Sequence, residues 1–317
     1  MASKWPKLPA KAAYLTLSNP QSRNALSLSV LRDLRDQLHQ YNTSPVDNKV
    51  RLLPPFDPNL LPGLEAAQAQ TDSSAVRKYG WLLHTAQWHS ARAGLPTVLV
   101  LRSPGPVFSA GHDLKELSRL GPAEVRETFA LCAEVMTLIR RSPAPVIGVV
   151  QGLATAAGAQ LALTTDLPVA RAETPFRLPG AAIGLPCTSP ATAVARRLGA
   201  PLAYRMLALA EPVRADQMPA GAIETVVDDE ALEKRVKEMV GRLAEDTAGM
   251  PQALGKWAFW TQLEAHRFRD EEAEDGVDGY EKAMRWAGRV MALHARSDDA
   301  AEGIGAFLEK RSPAWKT

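Results

Sequence analysis

Two short runs of small residues are the parts of this sequence that could do chemistry. They are "FSAGHDL" (108–114) and "GLATAAGAQ" (152–160), and each follows an apolar run and precedes a helical pattern. The first N–H groups of a helix have no partner within it, and the peptide dipoles there favour negative charge. Gly111, Ala157 and Gly158 let a ligand approach the main chain. Either loop alone is better explained by tight packing, but together they predict two N–H donors for a developing oxyanion.

The polar side chains in these loops suggest different roles. Gln160 could orient water or a substrate, but an amide does not exchange protons near neutral pH and cannot be a general base. It could equally be a helix-start residue that satisfies nearby backbone groups. His112 titrates in a useful range, but we favour a structural role for its ring. Asp113 is expected to cap the helix that follows it.

Alternating apolar runs and helical patterns must position these loops. Runs suited to buried strands precede both of them, at 97–103 and 144–152, and each loop leads into a helical pattern. The order strand, loop, helix therefore repeats along the chain. Further strands are predicted at 12–20, 167–172 and 222–227, and further helices at 28–38, 125–139 and 191–199, with one more opened by Pro201.

The segment 41–94 interrupts this order. Pro54, Pro55, Pro58 and Pro62 exclude a continuous helix or a central strand there. We interpret the segment as an insertion with one helix near "WLLHTAQWHSARAG", in which Trp81, His84 and Trp88 form a packed helix face. The predicted domains are a core at 1–228, interrupted by this insertion, and a charged helical region at 229–317.

The bulk composition excludes several classes of protein. With 37 Lys and Arg against 35 Asp and Glu, the formal charge is only +2, which gives no reason to expect nucleic-acid binding. Two cysteines cannot build a disulfide framework, and no zinc-ligand spacing occurs, so no metal site is predicted. No window is long and apolar enough for a membrane span. The expected location is intracellular, either the mitochondrial matrix or the cytoplasm.

Five motifs together resemble the crotonase superfamily, also called the enoyl-CoA hydratase/isomerase family. They occur in the order of the family and cover nearly all of the chain outside the insertion: "SNPQSRNALS", "PVFSAGHDLKEL", "PAPVIGVVQGLATAAGAQLALTTD", "FRLPGAAIGLP" and "EGIGAFLEKRSPAW". Gln160, the "SAGHDLKEL" loop and the "LPCTSP" turn resemble one branch of it in particular.

The resemblance implies an α/β fold, a crotonase-like spiral of ββα repeats with a helical C-terminal region that serves trimerisation. It implies self-association as a trimer or hexamer. It also implies a coenzyme A thioester as substrate or ligand, with no permanently bound cofactor. By position, the carbonyl oxygen of the thioester would be held by the backbone N–H groups of His112 and Ala157.

The same comparison implies that carboxylates are missing. Hydratases of the family use two glutamates as general base and general acid, and these positions correspond to Gln160 and Gly180. A third position, an aspartate in some isomerases and dehalogenases, falls at or near Thr188. Two-glutamate hydration is therefore doubtful. Cys187 and Thr188 could line the acyl pocket, and Cys187 is expected to be a buried thiol rather than a nucleophile.

Coenzyme A phosphates need cationic contacts, and the resemblance suggests where these lie. Lys115 is one candidate, with Ala110, Asp113 and Leu114 beside it in the first loop. Lys310 is another, reaching across from a neighbouring subunit with Phe307 near the adenine. Arg23 is a third position, for which we favour a solvated surface charge.

Three functions remain open from the sequence. The first is an enzyme of the enoyl-CoA hydratase/isomerase type, a lyase or isomerase of fatty acid metabolism that stabilises a thioester enolate. The second is a non-catalytic acyl-CoA-binding homologue. The third is an enzyme for a bulkier substrate, which would account for the insertion.

Overall fold

The chain divides into two compact units in a computed structural model that describes residues 5–183, 185, 187–264 and 298–317. The described part of the first unit is 5–41, 98–140 and 145–241. The second consists of 42–97, 141–144 and the described residues from 242 onward. The insertion thus shares a unit with the C-terminal helices and not with the segments that flank it in sequence. Much of the predicted helical region 229–317 lies outside the described residues.

A parallel five-stranded sheet forms the centre of the first unit. Its strands follow the order β1–β2–β3–β5–β8, and every neighbouring pair is parallel. All five residues of β2 and all five of β3 are buried, because parallel strands in the middle of a sheet are covered on both faces. These strands are β1 (Ala12–Thr16), β2 (Val98–Arg102), β3 (Val146–Val150), β5 (Leu167–Arg171) and β8 (Glu224–Val226).

A second, smaller sheet was not predicted from the sequence. It consists of β4 (Ala154–Thr155), β6 (Pro175–Arg177) and β7 (Val213–Arg214), with β6 in the middle. Strands of two or three residues are too short to show an alternating pattern. This sheet matters for the site, because β4 lies within the second small-residue loop.

Helices connect the strands of the first unit. The helix predicted at 125–139 is α6 (Pro122–Arg141), in which Cys132, Met136 and Ile139 are buried and Phe129 is 37% exposed. The helices are α1 (Leu28–Asn42), α5 (Leu114–Leu117), α6 (Pro122–Arg141), α7 (Ala157–Thr164), α8 (Gly180–Ile183), α9 (Thr188–Leu198), α10 (Ala200–Leu209) and α11 (Asp229–Glu245).

The second unit is helical and has its own hydrophobic core. Side chains from 53–91 and from 250–258 form one buried cluster, in which Trp257 is fully buried and donates from Nε1 to the Pro55 carbonyl at 3.0 Å. Its helices are α2 (Leu61–Gln68), α3 (Ser73–Tyr79), α4 (Thr85–Arg92), α12 (Gly249–Glu264) and α13 (Asp298–Glu309).

The insertion contains more helix than the prolines suggested. Helices α2 and α3 were not predicted, and the helix expected within 81–94 is the eight-residue α4. Trp81 and Trp88 are buried and stacked with ring centroids 5.9 Å apart. They do not share one helix face as predicted, however, because Trp81 lies in a 3-10 turn and His84 is the residue before α4.

Among the described helices, none combines the length and the apolar character needed to cross a bilayer.

Candidate active site

The first loop is held in place by two buried polar residues, Asn24 and Ser109. Asn24 is 1% exposed, and its Nδ2 donates to the carbonyls of Pro104 and Val107, both at 2.8 Å. The Ser109 hydroxyl donates to the Asn24 carbonyl at 2.8 Å and accepts from the Gly111 N–H at 3.2 Å. Sequence reasoning missed both residues, although Asn24 stands in the quoted motif "SNPQSRNALS" and Ser109 in "PVFSAGHDLKEL".

A parallel bridge sets the direction of the His112 backbone. The Leu26 N–H donates to the Gly111 carbonyl at 2.7 Å, and the Asp113 N–H donates to the Leu26 carbonyl at 3.4 Å. In such a bridge the N–H of the middle residue points away from the partner chain. The His112 N–H accordingly makes no hydrogen bond with any residue that the structure describes.

The His112 side chain packs within the protein and forms no acid–base pair with another described side chain. Its ring meets Phe129 edge to face, with centroids 5.0 Å apart, and its Nδ1 lies 3.4 Å from the Leu26 carbonyl oxygen. Burial lowers the pKa of His112 below its ordinary value, and the contact with Leu26 offsets part of this. The ring is therefore neutral at physiological pH.

The second loop turns sharply at Ala156. This residue has φ 50° and ψ −122°, a conformation that costs a non-glycine residue roughly 1–3 kcal/mol. Its N–H donates to the Arg177 carbonyl at 2.9 Å, and its carbonyl accepts from the Gln160 N–H at 3.0 Å. Ala157, the first residue of α7, is left with an N–H that has no acceptor among the described residues, as expected of a first helical turn.

Two glycines allow the two loops to touch. A Cβ on Gly111 would lie 2.9 Å from the Thr155 carbonyl oxygen and 3.4 Å from the Ala157 nitrogen. A Cβ on Gly158 would lie 2.4 Å from the Ser109 carbonyl oxygen. Gly111 also has φ +82°, which favours glycine. We call this contact of 108–114 with 152–160 the loop junction, and both unengaged N–H groups belong to it.

Gln160 is buried on α7, three residues after Ala157. Its side chain is 6% exposed, and Nε2 donates to the Ser189 hydroxyl at 2.9 Å. The Oε1 atom is buried and accepts no hydrogen bond from the described residues. The amide therefore bonds to no described backbone group, against one of the two predictions, and pairs instead with Ser189, a residue of α9 that the sequence did not point to.

The turn formed by 178–183, 185 and 187–189, which we call the Gly180 turn, brings Gly180 and Cys187 together. A Cβ on Gly180 would lie 2.2 Å from the Leu185 carbonyl oxygen, 2.6 Å from the Cys187 nitrogen and 2.8 Å from its Sγ. Burial raises the pKa of the Cys187 thiol, and a hydrogen bond from the Gly180 backbone offsets part of the rise. Thr188 is exposed and is the first residue of α9, so that helix begins three residues earlier than predicted.

The carboxylates in the first loop and directly after it already accept hydrogen bonds from backbone N–H groups. Asp113 caps α5 as its position suggested, with Oδ1 accepting from the N–H groups of Lys115 and Glu116 at 3.0 and 3.1 Å. Glu116 in turn accepts from the Leu28 N–H at 2.9 Å. No group of three or more His, Cys, Asp or Glu side chains among the described residues could hold a metal ion.

The residues suggested for coenzyme A lie in both units, and their role stays a prediction. In the first unit, Leu114 and Lys115 are exposed, and the Ala110 N–H donates to the Arg23 carbonyl at 3.0 Å. In the second unit, Phe307 lies in α13, and its side chain is outside the described residues. Lys310 is exposed and follows α13 directly.

Comparison with known families gives one match over most of the chain. The model of the enoyl-CoA hydratase/isomerase family matches residues 94–317. The insertion lies almost entirely outside this range.

Individual proteins are similar to the chain over nearly its whole length, including the insertion. Enoyl-CoA hydratase domain-containing protein 3, mitochondrial, of Danio rerio is 33% identical over 95% of this chain and 83% of the relative. The crystal structure of the human protein of that name has a TM-score of 0.69 and 30% identity, with 98% of each chain covered. An enoyl-CoA hydratase from Mycobacterium smegmatis has a TM-score of 0.71 and 31% identity, again with 98% of each chain covered. The Danio rerio and human proteins belong to the branch that Gln160, the "SAGHDLKEL" loop and the "LPCTSP" turn resemble.

Proposed function

This chain belongs to the enoyl-CoA hydratase/isomerase family, and from that premise we propose that it binds acyl-CoA or enoyl-CoA thioesters and stabilises their enolates. One observation carries the proposal. The backbone N–H groups of His112 and Ala157 belong to one loop junction, and no described residue uses either of them.

Both N–H groups would donate to the carbonyl oxygen of the thioester. When a proton leaves the α-carbon, negative charge accumulates on that oxygen, and fixed donors stabilise the charge without having to reorient. Ala157 adds the dipole of α7, since its N–H belongs to the first turn of that helix. Losing one such donor typically costs about 10²–10³ in rate.

Proton transfer would not use a pair of carboxylates. Gln160 occupies the position of one and cannot exchange protons near neutral pH. Asp113 and Glu116 are engaged by backbone N–H groups. Water or another atypical proton carrier is therefore what we propose for this step.

Binding of the coenzyme is part of the same proposal. Lys115 would contact its phosphates, and the first loop at Ala110 and Leu114 the adjoining part of the ligand. Lys310 of a neighbouring subunit would also contact the phosphates, with Phe307 of that subunit near the adenine. Cys187 and Thr188 would line the acyl pocket.

Assembly as a trimer or hexamer, as in the family, can be measured by light scattering. The free cysteines Cys132 and Cys187 fit an intracellular, reducing location.

A second candidate is a protein that binds acyl-CoA without turning it over. The packing at Gly180 favours it, because the Leu185 carbonyl and Cys187 fill the space that a side chain would need there. Such a protein would retain the N–H donors but would not catalyse a reaction.

Isotope exchange separates the two candidates. The purified protein is incubated in D₂O with a panel of saturated and enoyl-CoA thioesters, and the mass of each thioester is followed by chromatography. Deuterium at the α-carbon or addition of water supports the enzyme. Tight binding without a change of mass supports the binding protein.

A pair of variants at Ala157 tests the donor itself. Ala157→Pro removes the N–H at a first helical position, where proline is tolerated, and Ala157→Gly keeps it. We expect exchange to fall at least about 100-fold in the proline variant only. Equal rates in both variants, with unfolding temperatures unchanged, would contradict the proposal.

A test on the ligand avoids any change to the protein. An S-alkyl-CoA, in which CH₂ replaces the thioester carbonyl, keeps the coenzyme and the chain but offers no acceptor. We expect it to bind at least about tenfold more weakly than the matching acyl-CoA. Equal affinity of the two ligands would exclude the N–H donors from binding.

A further inference from the structure

A buried amide without a full set of partners faces the start of α9. Gln160 is 6% exposed, and its Nε2 lies 2.9 Å from Ser189 Oγ, while its Oε1 accepts no hydrogen bond from the described residues. Buried polar atoms normally have a partner, because leaving one unpaired is costly. An unpaired amide atom at this position therefore points to a ligand.

The N–H groups in the first turn of α9 also have no acceptor among the described residues. Its N-cap residue, Cys187, makes no side-chain cap hydrogen bond, and the first turn contains no acidic residue. Within the described part of the chain, the N–H groups of Thr188 and Ser189 have no recorded acceptor. The helix is 11 residues long, so its N-terminus carries the partial positive charge of a full helix dipole.

Together these groups form a set of hydrogen-bond donors. The Ser189 hydroxyl can donate or accept, so the Gln160 amide can turn to accept from Ser189 with Oε1 and donate to a ligand with Nε2. The N–H groups of the first turn are donors only. A carboxylate, which accepts several hydrogen bonds and carries negative charge, is the complementary group.

The position on α7 connects this set of donors with the loop junction. Gln160 follows Ala157 by three residues, and residues three apart lie on the same face of a helix. A thioester held by the Ala157 N–H would therefore direct its acyl chain along the face that bears Gln160.

We propose that Gln160, Ser189 and the first turn of α9 bind a carboxylate at the end of the acyl chain, so that the preferred ligands are thioesters of dicarboxylic acids. This inference rests on the proposed function, since it assumes that a coenzyme A thioester occupies the loop junction.

Calorimetric titration with matched ligands tests the inference. Malonyl-CoA is compared with isovaleryl-CoA, and glutaryl-CoA with 5-methylhexanoyl-CoA, because in each pair a neutral isopropyl group replaces the carboxylate. The proteins are the wild type, Gln160→Leu and Ser189→Ala. Thr192→Ala, an exposed position one turn further along α9, is the matched control.

We expect one of the carboxylated thioesters to bind at least about tenfold more tightly than its neutral partner, as for hydrogen bonds to a charged group. The ratio should fall toward one in Gln160→Leu and Ser189→Ala and persist in Thr192→Ala. The more conservative Ser189→Ala keeps the test decisive if Gln160→Leu does not fold.

Two negative results can be told apart. If the neutral thioesters bind as tightly as the carboxylated ones, or if the ratio is the same in all four proteins, the carboxylate subsite is wrong and the proposed function stands. If the wild type binds no thioester of either kind, the proposed function is wrong and the inference fails with it.

Discussion

The loop junction and the Gly180 turn are both built on glycines in close contact, but they differ in what they leave available. At the junction, Gly111 and Gly158 bring two loops together, and no described residue accepts from the N–H groups of His112 and Ala157. At the turn, the Leu185 carbonyl and Cys187 fill the space beside Gly180. One contact leaves donors available to a ligand, and the other excludes a side chain.

This difference separates two tasks that hydratases combine. Holding an enolate requires only backbone N–H groups, which nearly any sequence supplies if the loops keep their shape. Moving protons requires particular side chains, and the positions that the family resemblance assigns to the two glutamates hold Gln160 and Gly180. A protein can therefore still hold an enolate where the side chains for proton transfer have changed or been lost.

The largest expected effect comes from breaking the junction with Gly158→Ala. The new Cβ would lie 2.4 Å from the Ser109 carbonyl oxygen, so one of the loops must move. We expect the free energy of unfolding to fall by about 1–3 kcal/mol, and α-proton exchange by at least about 100-fold. Urea unfolding and mass spectrometry measure the two quantities.

Gly241→Ala is the matched control for this variant. Gly241 lies inside α11, and a Cβ there has no heavy atom within 4 Å. We expect it to stabilise the protein by about 0.5–1 kcal/mol and to leave exchange unchanged. If Gly158→Ala behaved in the same way, the two loops would not depend on their contact.

The second prediction adds a carboxylate to the Gly180 turn with Gly180→Glu. Its Cβ would lie 2.2 Å from the Leu185 carbonyl oxygen, so the turn must shift before the carboxylate can point anywhere. We expect a loss of about 1–3 kcal/mol in stability and no gain in hydration of crotonyl-CoA, followed by the loss of the enoyl absorbance. Hydration above the wild-type rate would mean that the turn can accept the side chain, and that only the carboxylate is missing.

The third prediction weakens the support of the first loop with Ser109→Ala. This change removes the partner of the Gly111 N–H and of the Asn24 carbonyl, both at buried residues. We expect a loss of roughly 1–3 kcal/mol in stability and about a tenfold loss in exchange. Ser118→Ala, which removes an exposed hydroxyl that donates to the Lys115 carbonyl, should change neither quantity. An effect of Ser118→Ala equal to that of Ser109→Ala would refute the role of the Ser109 network.

The smallest effect concerns His112, through pH. Burial lowers the pKa of His112 below its ordinary value of 6.5, so as the pH falls the unfolded chain takes up a proton there before the folded chain does. The contribution of His112 to stability is thus complete above pH 6.5 and is lost as the pH falls below it. We expect stability to fall less between pH 7 and 5 in His112→Gln than in the wild type.

Exchange at pH 7.5 should stay within about threefold in His112→Gln, because the backbone N–H is retained. A collapse of exchange would instead make the ring of His112 a proton carrier. The two outcomes distinguish a structural ring from a catalytic one.

Sequence reasoning succeeded where a long pattern or a whole motif supported it. The buried runs of β2 and β3 and the repeated order of strand, loop and helix are in the structure. It failed where the deciding contact is distant in sequence. Ser189 is 29 residues from the Gln160 amide that it meets, and nothing in the local pattern of α9 indicates this pair.

The insertion shows the same limit. Its prolines excluded one long helix but did not exclude several short ones, since Pro58 and Pro62 lie in the first turns of short helices, where proline fits. Its core could not be predicted, because the apolar faces of 53–91 are covered by residues 250–258.

That shared core has a consequence for synthesis on the ribosome. The first part of the cluster emerges 158 residues, 92–249, before its covering helix is made. At 5–20 residues per second this amounts to about eight to thirty seconds, during which Trp81, Trp88 and their neighbours lack the covering residues 250–258. We expect a nascent chain arrested before Met250 to recruit chaperones through this segment and to release them once α12 is complete.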